Sequence, residues 1–190
     1  MFDYLGVLIS VSFGLALTHL LTGLSRIIQM RSSVRVYPLQ ILWTLNIMLY
    51  VLALWWGMFW LKNLQDWTIG RFLFLSAYAG VTYLLSALLY PGDVSDGFDF
   101  EKHFEGNRRW FFGVFLLALL LDVPETLSKG TSHLRDVPTQ YIVFLPSMLA
   151  LGLLGLLFRN RLVQYAVALL VLLTMTAYLN FTALERIVVR

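Results

Sequence analysis

Six stretches of this chain, each about twenty residues long and almost free of charge, confine it to very few folds. A stretch of that length spans a hydrocarbon core of ~30 Å as a helix, where every backbone N–H and C=O must be satisfied within the segment itself. The stretches are 4–24, 38–60, 72–90, 110–127, 141–158 and 163–183. They predict an all-α fold, a polytopic membrane helix bundle of six transmembrane helices with short loops, forming one domain over 1–190. Composition agrees: with 59% hydrophobic residues, 13% charged and a mean hydropathy of +0.75, the chain has too little polar surface to cover a soluble globule.

Charged and turn-forming residues mark the boundaries. Arg26, Arg31 and Arg35 close the first span, and Tyr37-Pro38 opens the second with a proline suited to a first helical turn. Lys62 and Asp66 follow the second span, and Pro91-Gly92-Asp93 stops the third. Residues 94–109 read as the longest polar loop. The fourth span starts at Trp110 and meets Asp122-Val123-Pro124-Glu125, where Pro124 predicts a local break. No internal repeat stands out.

The first segment has the length of a signal peptide, but its positive charges follow the apolar run, so it is expected to stay as an anchor. Counting basic residues assigns Arg26, Arg31, Arg35, Lys102, Arg108, Arg109, Arg159 and Arg161 to one side. Lys62, Arg71, Lys129, Arg135, Arg186 and Arg190 fall on the other. The richer side is expected to be cytoplasmic, which leaves both termini outside the cytoplasm. Trp55, Trp56, Trp60 and Trp67 would form an outer aromatic belt, with Tyr90, Trp110, Phe111 and Phe112 at the inner interface.

Polar groups inside the spans are the candidates for function. His19 lies in Gly14-Leu15-Ala16-Leu17-Thr18-His19-Leu20-Leu21-Thr22-Gly23, on a face shared with Ser12, Ala16, Gly23 and Arg26. That small, polar face is expected to meet other helices, the leucine-rich face lipid. Two readings of His19 fit: a structural histidine pinning helices together, and a proton-relay or ligand group. Asp122 and Glu125 share a helical face. A span of fourteen residues from Trp110 to Val123 is short for the bilayer, which argues for Asp122 inside the membrane; the other reading ends the span at Val123. Counting ~1.5 Å per residue puts His19 level with Asn46, Tyr83 and Ser86, and Asp122 and Glu125 level with Tyr78 and Thr174, roughly 10 Å away.

In the 94–109 stretch, Phe98, Phe100 and Phe104 alternate with Asp96, Asp99, Glu101, Lys102, His103 and Glu105. This reads either as an ordinary anchored loop or as a lipid-head or partner-docking site carried by Arg108, Arg109 and Trp110. His103 near Asp99 is a weak signal for a metal, and no metal site is assigned.

Several chemistries are excluded. The chain has no Cys, hence no thiolate chemistry, disulfide or Cys-held metal. Lysines lie only in predicted loops, so no span offers a Schiff-base amine. No G-x-S-x-G occurs, and Tyr90-Pro91-Gly92-Asp93 is an incomplete match to the G-x-G-D of intramembrane aspartyl peptidases. Basic residues sit singly or in pairs at span ends despite a pI near 9.3, which argues against nucleic acid. No cofactor is expected, and an enzyme is the less favoured class.

The Gly14-to-Gly23 run, Leu88-Leu89-Tyr90-Pro91, Asn107-Arg108-Arg109-Trp110-Phe111-Phe112-Gly113 and the Asp122 region together resemble a family of small, uncharacterised multi-span bacterial inner-membrane proteins of about this length. The resemblance implies a bacterial inner-membrane location and brings no activity with it. Two classes of function remain. One is a channel or transporter-like protein moving protons or small cations along a polar path through His19, Asn46, Tyr83, Asp122 and Glu125. The other is a non-catalytic scaffold or accessory subunit that binds lipid, a second copy of itself or a membrane partner protein.

Overall fold

The computed structural model describes residues 2–58, 61, 67–128 and 139–188, with side chains over 6–58, 61, 67–128 and 141–180. Six helices make up the described chain: α1 (Phe2–Gln29), α2 (Pro38–Gly57), α3 (Ile69–Ala87), α4 (Phe100–Ser128), α5 (Thr139–Leu157) and α6 (Arg161–Val188). Among the described residues there is no strand, only an isolated bridge between Arg35 and Asp99. Five of the helices are long and apolar enough to cross a membrane, and α5 is apolar over Tyr141–Leu157. Val7, Leu15, Leu73, Leu153, Leu162 and Leu173 point outward, as a lipid-facing exterior requires. The protein is a multi-pass membrane helix bundle. Trp60, Lys62, Asp66, Lys129, Arg135 and Arg190 lie outside the described residues, as does the Arg186 side chain.

Local chemistry sets the helix ends. Pro38 opens α2, Thr68 caps α3 by accepting from the Arg71 N–H at 3.2 Å, and Asp99 Oδ1 accepts from the Lys102 N–H at 3.0 Å at the start of α4. Asn160 Oδ1 does the same for the Leu162 N–H at 2.9 Å where α6 begins.

Two expectations for the fourth span are corrected here. It begins at Phe100, so the stretch expected to be loop through Arg109 is helical from residue 100 onward. The reason is a buried stripe: Phe100, Phe104, Arg108, Phe111, Phe112 and Phe115 recur at helical spacing on one face. Pro124 does not break the helix, which runs through it to Ser128; its ring sits on the exposed side, clear of the packed seam. Helix α4 has 29 residues, and its charged first turns precede the apolar part that begins at Trp110.

Helix α2 is the central post, touching α1, α3, α4 and α6, while α5 packs between α4 and α6 and α1 lies along α3. In a bilayer lipid tails are as apolar as leucine, so helices are held by close packing and interhelical hydrogen bonds. The packing is aromatic. Trp43 of α2 meets Phe111, Phe112 and Phe115 of α4 edge-on, with centroids 5.0, 5.2 and 5.7 Å away. Two glycines admit rings against backbone: a Cβ on Gly23 would lie 2.2 Å from the Tyr90 ring, and one on Gly155 would lie 2.1 Å from Phe112.

These contacts revise the aromatic belts. Trp55 and Trp56 are exposed as expected, and so is Trp110 at 72%. Tyr90, Phe111 and Phe112 are buried in the core instead of lining an interface, because they face α1, α2 and Gly155. The α1 seam is also rotated. Ile9, Phe13, Ala16, Leu20, Gly23 and Ile27 are buried, whereas Ser12, His19 and Arg26 lie along its edge, half-buried.

Candidate functional site

Asp122 of α4 is the convergence point of a hydroxyl network drawn from four helices. Tyr141 of α5 donates to Oδ2 at 2.6 Å, and Tyr78 of α3 lies 3.4 Å from Oδ1, a long contact. Tyr50 of α2 is 3.1 Å from the Tyr78 hydroxyl. Since the Tyr78 proton is directed at the carboxylate, Tyr50 is the donor in that pair. Thr126, one turn beyond Asp122, reaches the Tyr141 oxygen at 3.4 Å. Every donor in the chain Tyr50, Tyr78, Asp122 and its mirror Thr126, Tyr141, Asp122 therefore points toward the carboxylate. Tyr50 and Tyr78 are buried, Asp122 and Tyr141 half-buried, and Glu125 on the next turn is 3% exposed.

His19 belongs to a different seam. Its Nε2 lies 3.3 Å from the Tyr90 carbonyl, where it donates, and its ring meets Tyr83 edge-on at 6.2 Å. Around the same corner the Tyr90 hydroxyl and Thr44 Oγ1 are 2.7 Å apart, and Gln40 donates to the Leu89 carbonyl at 2.6 Å. Asn46 is buried on a third seam, donating from Nδ2 to the Ala168 carbonyl of α6 at 2.9 Å. Of the five residues expected to share a polar path, the structure thus pairs His19 with Tyr83 and sets Asp122 beside Glu125. Asn46 joins neither pair. Trp43 packs on Phe111, Phe112 and Phe115 between α2 and α4, and Ile47 and Val51 are also buried.

At the end of the bundle that carries the α1–α2, α3–α4 and α5–α6 connections, four arginines are paired internally. Arg35 reaches Asp99 at 3.2 Å and Glu101 at 2.9 Å, and Glu101 also meets Arg161 at 3.7 Å. Glu105 lies between Arg159 at 3.5 Å and Arg108 at 3.9 Å. Backbone bonds reinforce the junction: Arg35 N–H to Phe98 O at 2.9 Å, Phe100 N–H to Arg35 O at 3.2 Å, and Gly97 N–H to Ser33 O at 2.7 Å. The Lys102 backbone N–H, and then Arg35, hold the Asp99 carboxyl below the usual carboxylate range. Among the described residues no group of His, Asp and Glu is placed to hold a metal.

Arg108 departs from its expected role. Instead of facing lipid heads it is 5% exposed and donates to the carbonyls of Gly155, Leu156 and Phe158 at the C-terminus of α5, at 2.5, 3.0 and 3.3 Å. A cation there satisfies orphan carbonyls and opposes the negative end of the helix dipole. Gln164 of α6 joins it, donating to Gly155 O at 2.8 Å and Phe158 O at 2.6 Å. Arg109 and Trp110 remain outward. Phe100 and Phe104, expected in the headgroup zone, are buried for the same reason as Arg108.

Tyr50, Gln40 and Gln164 were not singled out by the sequence, and Tyr141 only as the start of a span. Helical phase is the signal that finds Tyr50, Gln40 and Gln164, since each lies on the buried side of its helix. Compared with known protein families, curated proteins and solved structures, the chain matches none.

Proposed function

We propose that this protein is a rigid membrane scaffold or accessory subunit, seated in a bacterial inner membrane with both termini outside the cytoplasm. One observation carries the reading: Asp122 spends its carboxylate on bonds that tie α4 to α3 and α5, and through Tyr78 to α2. A polar group that joins four helices acts as a lock, and in a bilayer such bonds fix relative helix positions. The packing of Trp43 on Phe111, Phe112 and Phe115 supports the same reading, since it holds α2 rigidly against α4. The excess of basic residues at the stitched end supports a cytoplasmic assignment for that end. The likeness of the Gly14-to-Gly23 and Asn107-to-Gly113 runs to small bacterial inner-membrane proteins supports the location.

The test is flux. Proteoliposomes holding the purified protein, loaded with a pH-sensitive or cation-sensitive dye, should show the same leak as protein-free vesicles under an imposed gradient. Flux above that background, lost in Asp122→Asn with the fold retained, restores the channel or transporter reading and ends the scaffold one.

A further inference from the structure

The outer flank of α1 carries a groove of about 410 Å³ lined by Thr18, Leu21, Thr22, Ser25, Arg26 and Gln29. Its polar lining is one guanidinium, one amide and three hydroxyls, with no carboxylate. Arg26 is tethered from behind, one of its nitrogens donating to the Gly92 carbonyl, and among the described residues no acid lies within 4 Å of it. Arg26 shares this with the exposed Arg31 and Arg109 and differs from Arg35, Arg108, Arg159 and Arg161, which each have a carboxylate partner; of the unpaired three, Arg26 alone lines this groove. The groove therefore holds a positive charge that the protein does not neutralise. Its depth profile is also graded: Arg26 and Gln29 lie in the last turn of α1, at the membrane surface, and Leu21 and Thr18 run inward along the lipid-exposed side. Hydroxyls elsewhere in the spans bond back to the carbonyl four residues earlier, as in Ser12, Thr44, Ser76, Thr82 and Ser147. Thr18 and Thr22 make no such bond, and both are exposed along the groove.

We infer that this groove binds the phosphate of a net-anionic phospholipid, with Arg26 and Gln29 holding the headgroup and an acyl chain lying along Leu21 and Thr18. Arg suits phosphate because its planar fork makes charge-assisted, bidentate bonds, and basic pockets at the membrane surface select anionic headgroups. The site stands whether or not the scaffold reading does.

Native mass spectrometry of the full chain, released from detergent supplemented with phosphatidylglycerol or phosphatidylcholine, tests it. One phosphatidylglycerol per chain should be retained, with phosphatidylcholine held about tenfold less well, a difference of about 1.4 kcal/mol. Arg26→Gln keeps a donor for the Gly92 carbonyl and removes the charge, and should lower retention by about tenfold. Arg109→Gln, on the exposed side of α4, should not change it. Should Arg26→Gln fail to fold, the double variant Thr22→Val and Gln29→Leu, which leaves the Gly92 tie intact, should lower retention about threefold. Millimolar inorganic phosphate should not displace the lipid. Undiminished retention in the folded charge variant or in the double variant, equal retention of the two lipids, displacement by inorganic phosphate, or a lipid-free dimer in place of the lipid-bound chain would each overturn the inference.

Discussion

The Tyr141 hydroxyl donates to Asp122 Oδ2 at 2.6 Å, and that bond is the shortest described contact in the hydroxyl network around Asp122. Asp122→Asn leaves one side-chain oxygen to accept it, so thermal unfolding in detergent should move little, with a cost below about 1 kcal/mol. Asp122→Ala strands the hydroxyls of both Tyr141 and Tyr78, and should cost about 1–3 kcal/mol. A double-mutant cycle with Tyr141→Phe should return a coupling of about 0.6–1.7 kcal/mol, the span found for interhelical bonds in membranes. Zero coupling would mean the lock contributes nothing.

Gly23 and Gly14 lie on the same helix and answer the same substitution differently. A methyl group at Gly23 collides with the Tyr90 ring, whereas one at Gly14 meets nothing within 4 Å. Gly23→Ala should lower the unfolding midpoint at a cost of about 1–3 kcal/mol, and Gly14→Ala should be neutral or slightly favourable. In a Tyr90→Ala background the Gly23→Ala penalty should largely vanish. A penalty that persists there points to backbone strain instead of the ring.

Arg108 and Arg109 are adjacent and have opposite fates. Arg108→Ala removes a charged donor from three carbonyls and should cost about 2–4 kcal/mol, while Arg109→Ala should fall within about 0.5 kcal/mol of wild type. Arg108→Lys keeps the charge without the fork that spans several acceptors, and should recover only part of the loss. Urea or thermal titration of the three variants side by side measures this.

The stitched end should loosen in acid. Asp99 has its pKa lowered in the folded protein, so its contribution is complete above the unfolded carboxylate value and is lost as pH falls through the folded one, in a window below about pH 4. Protease accessibility of residues 94–99 should rise across that window, and Asp99→Asn should show the same accessibility at every pH. A wild-type profile that stays flat through the window removes Asp99 from the junction's acid response.

The six-helix bundle was legible because twenty-residue apolar runs are a strong signal, and the ends near Pro38 and Pro91 carried their own chemistry. The first turns of α4 were not legible from hydropathy, since the buried Phe100–Phe104–Arg108 stripe is diluted by the charged residues between; its signal is the Asp99 cap followed by i, i+4 spacing. Counting residues brought Asp122 level with Tyr78, and the two are in contact. Helix α4 starts ten residues earlier than Trp110, but those turns carry the charges of the stitched end, so the apolar part still begins at Trp110, and Asp122 within it is held by tyrosines. Tyr141 escaped notice because a tyrosine opening a span reads as an interfacial anchor. Charge counting also cannot say which of two adjacent arginines turns inward; only the phase set by Phe104, Phe111 and Phe112 does.

The clasp of Arg108 on Gly155, Leu156 and Phe158 also imposes an order on biosynthesis. The ribosome delivers the guanidinium some fifty residues before its acceptors, since the partners are 47, 48 and 50 positions downstream. Until α5 has been released into the bilayer, the guanidinium has Glu105 on its own helix but none of its three carbonyl acceptors. A nascent chain that ends before residue 155 therefore lacks all three acceptors, and the arrival of the α5–α6 turn supplies them together.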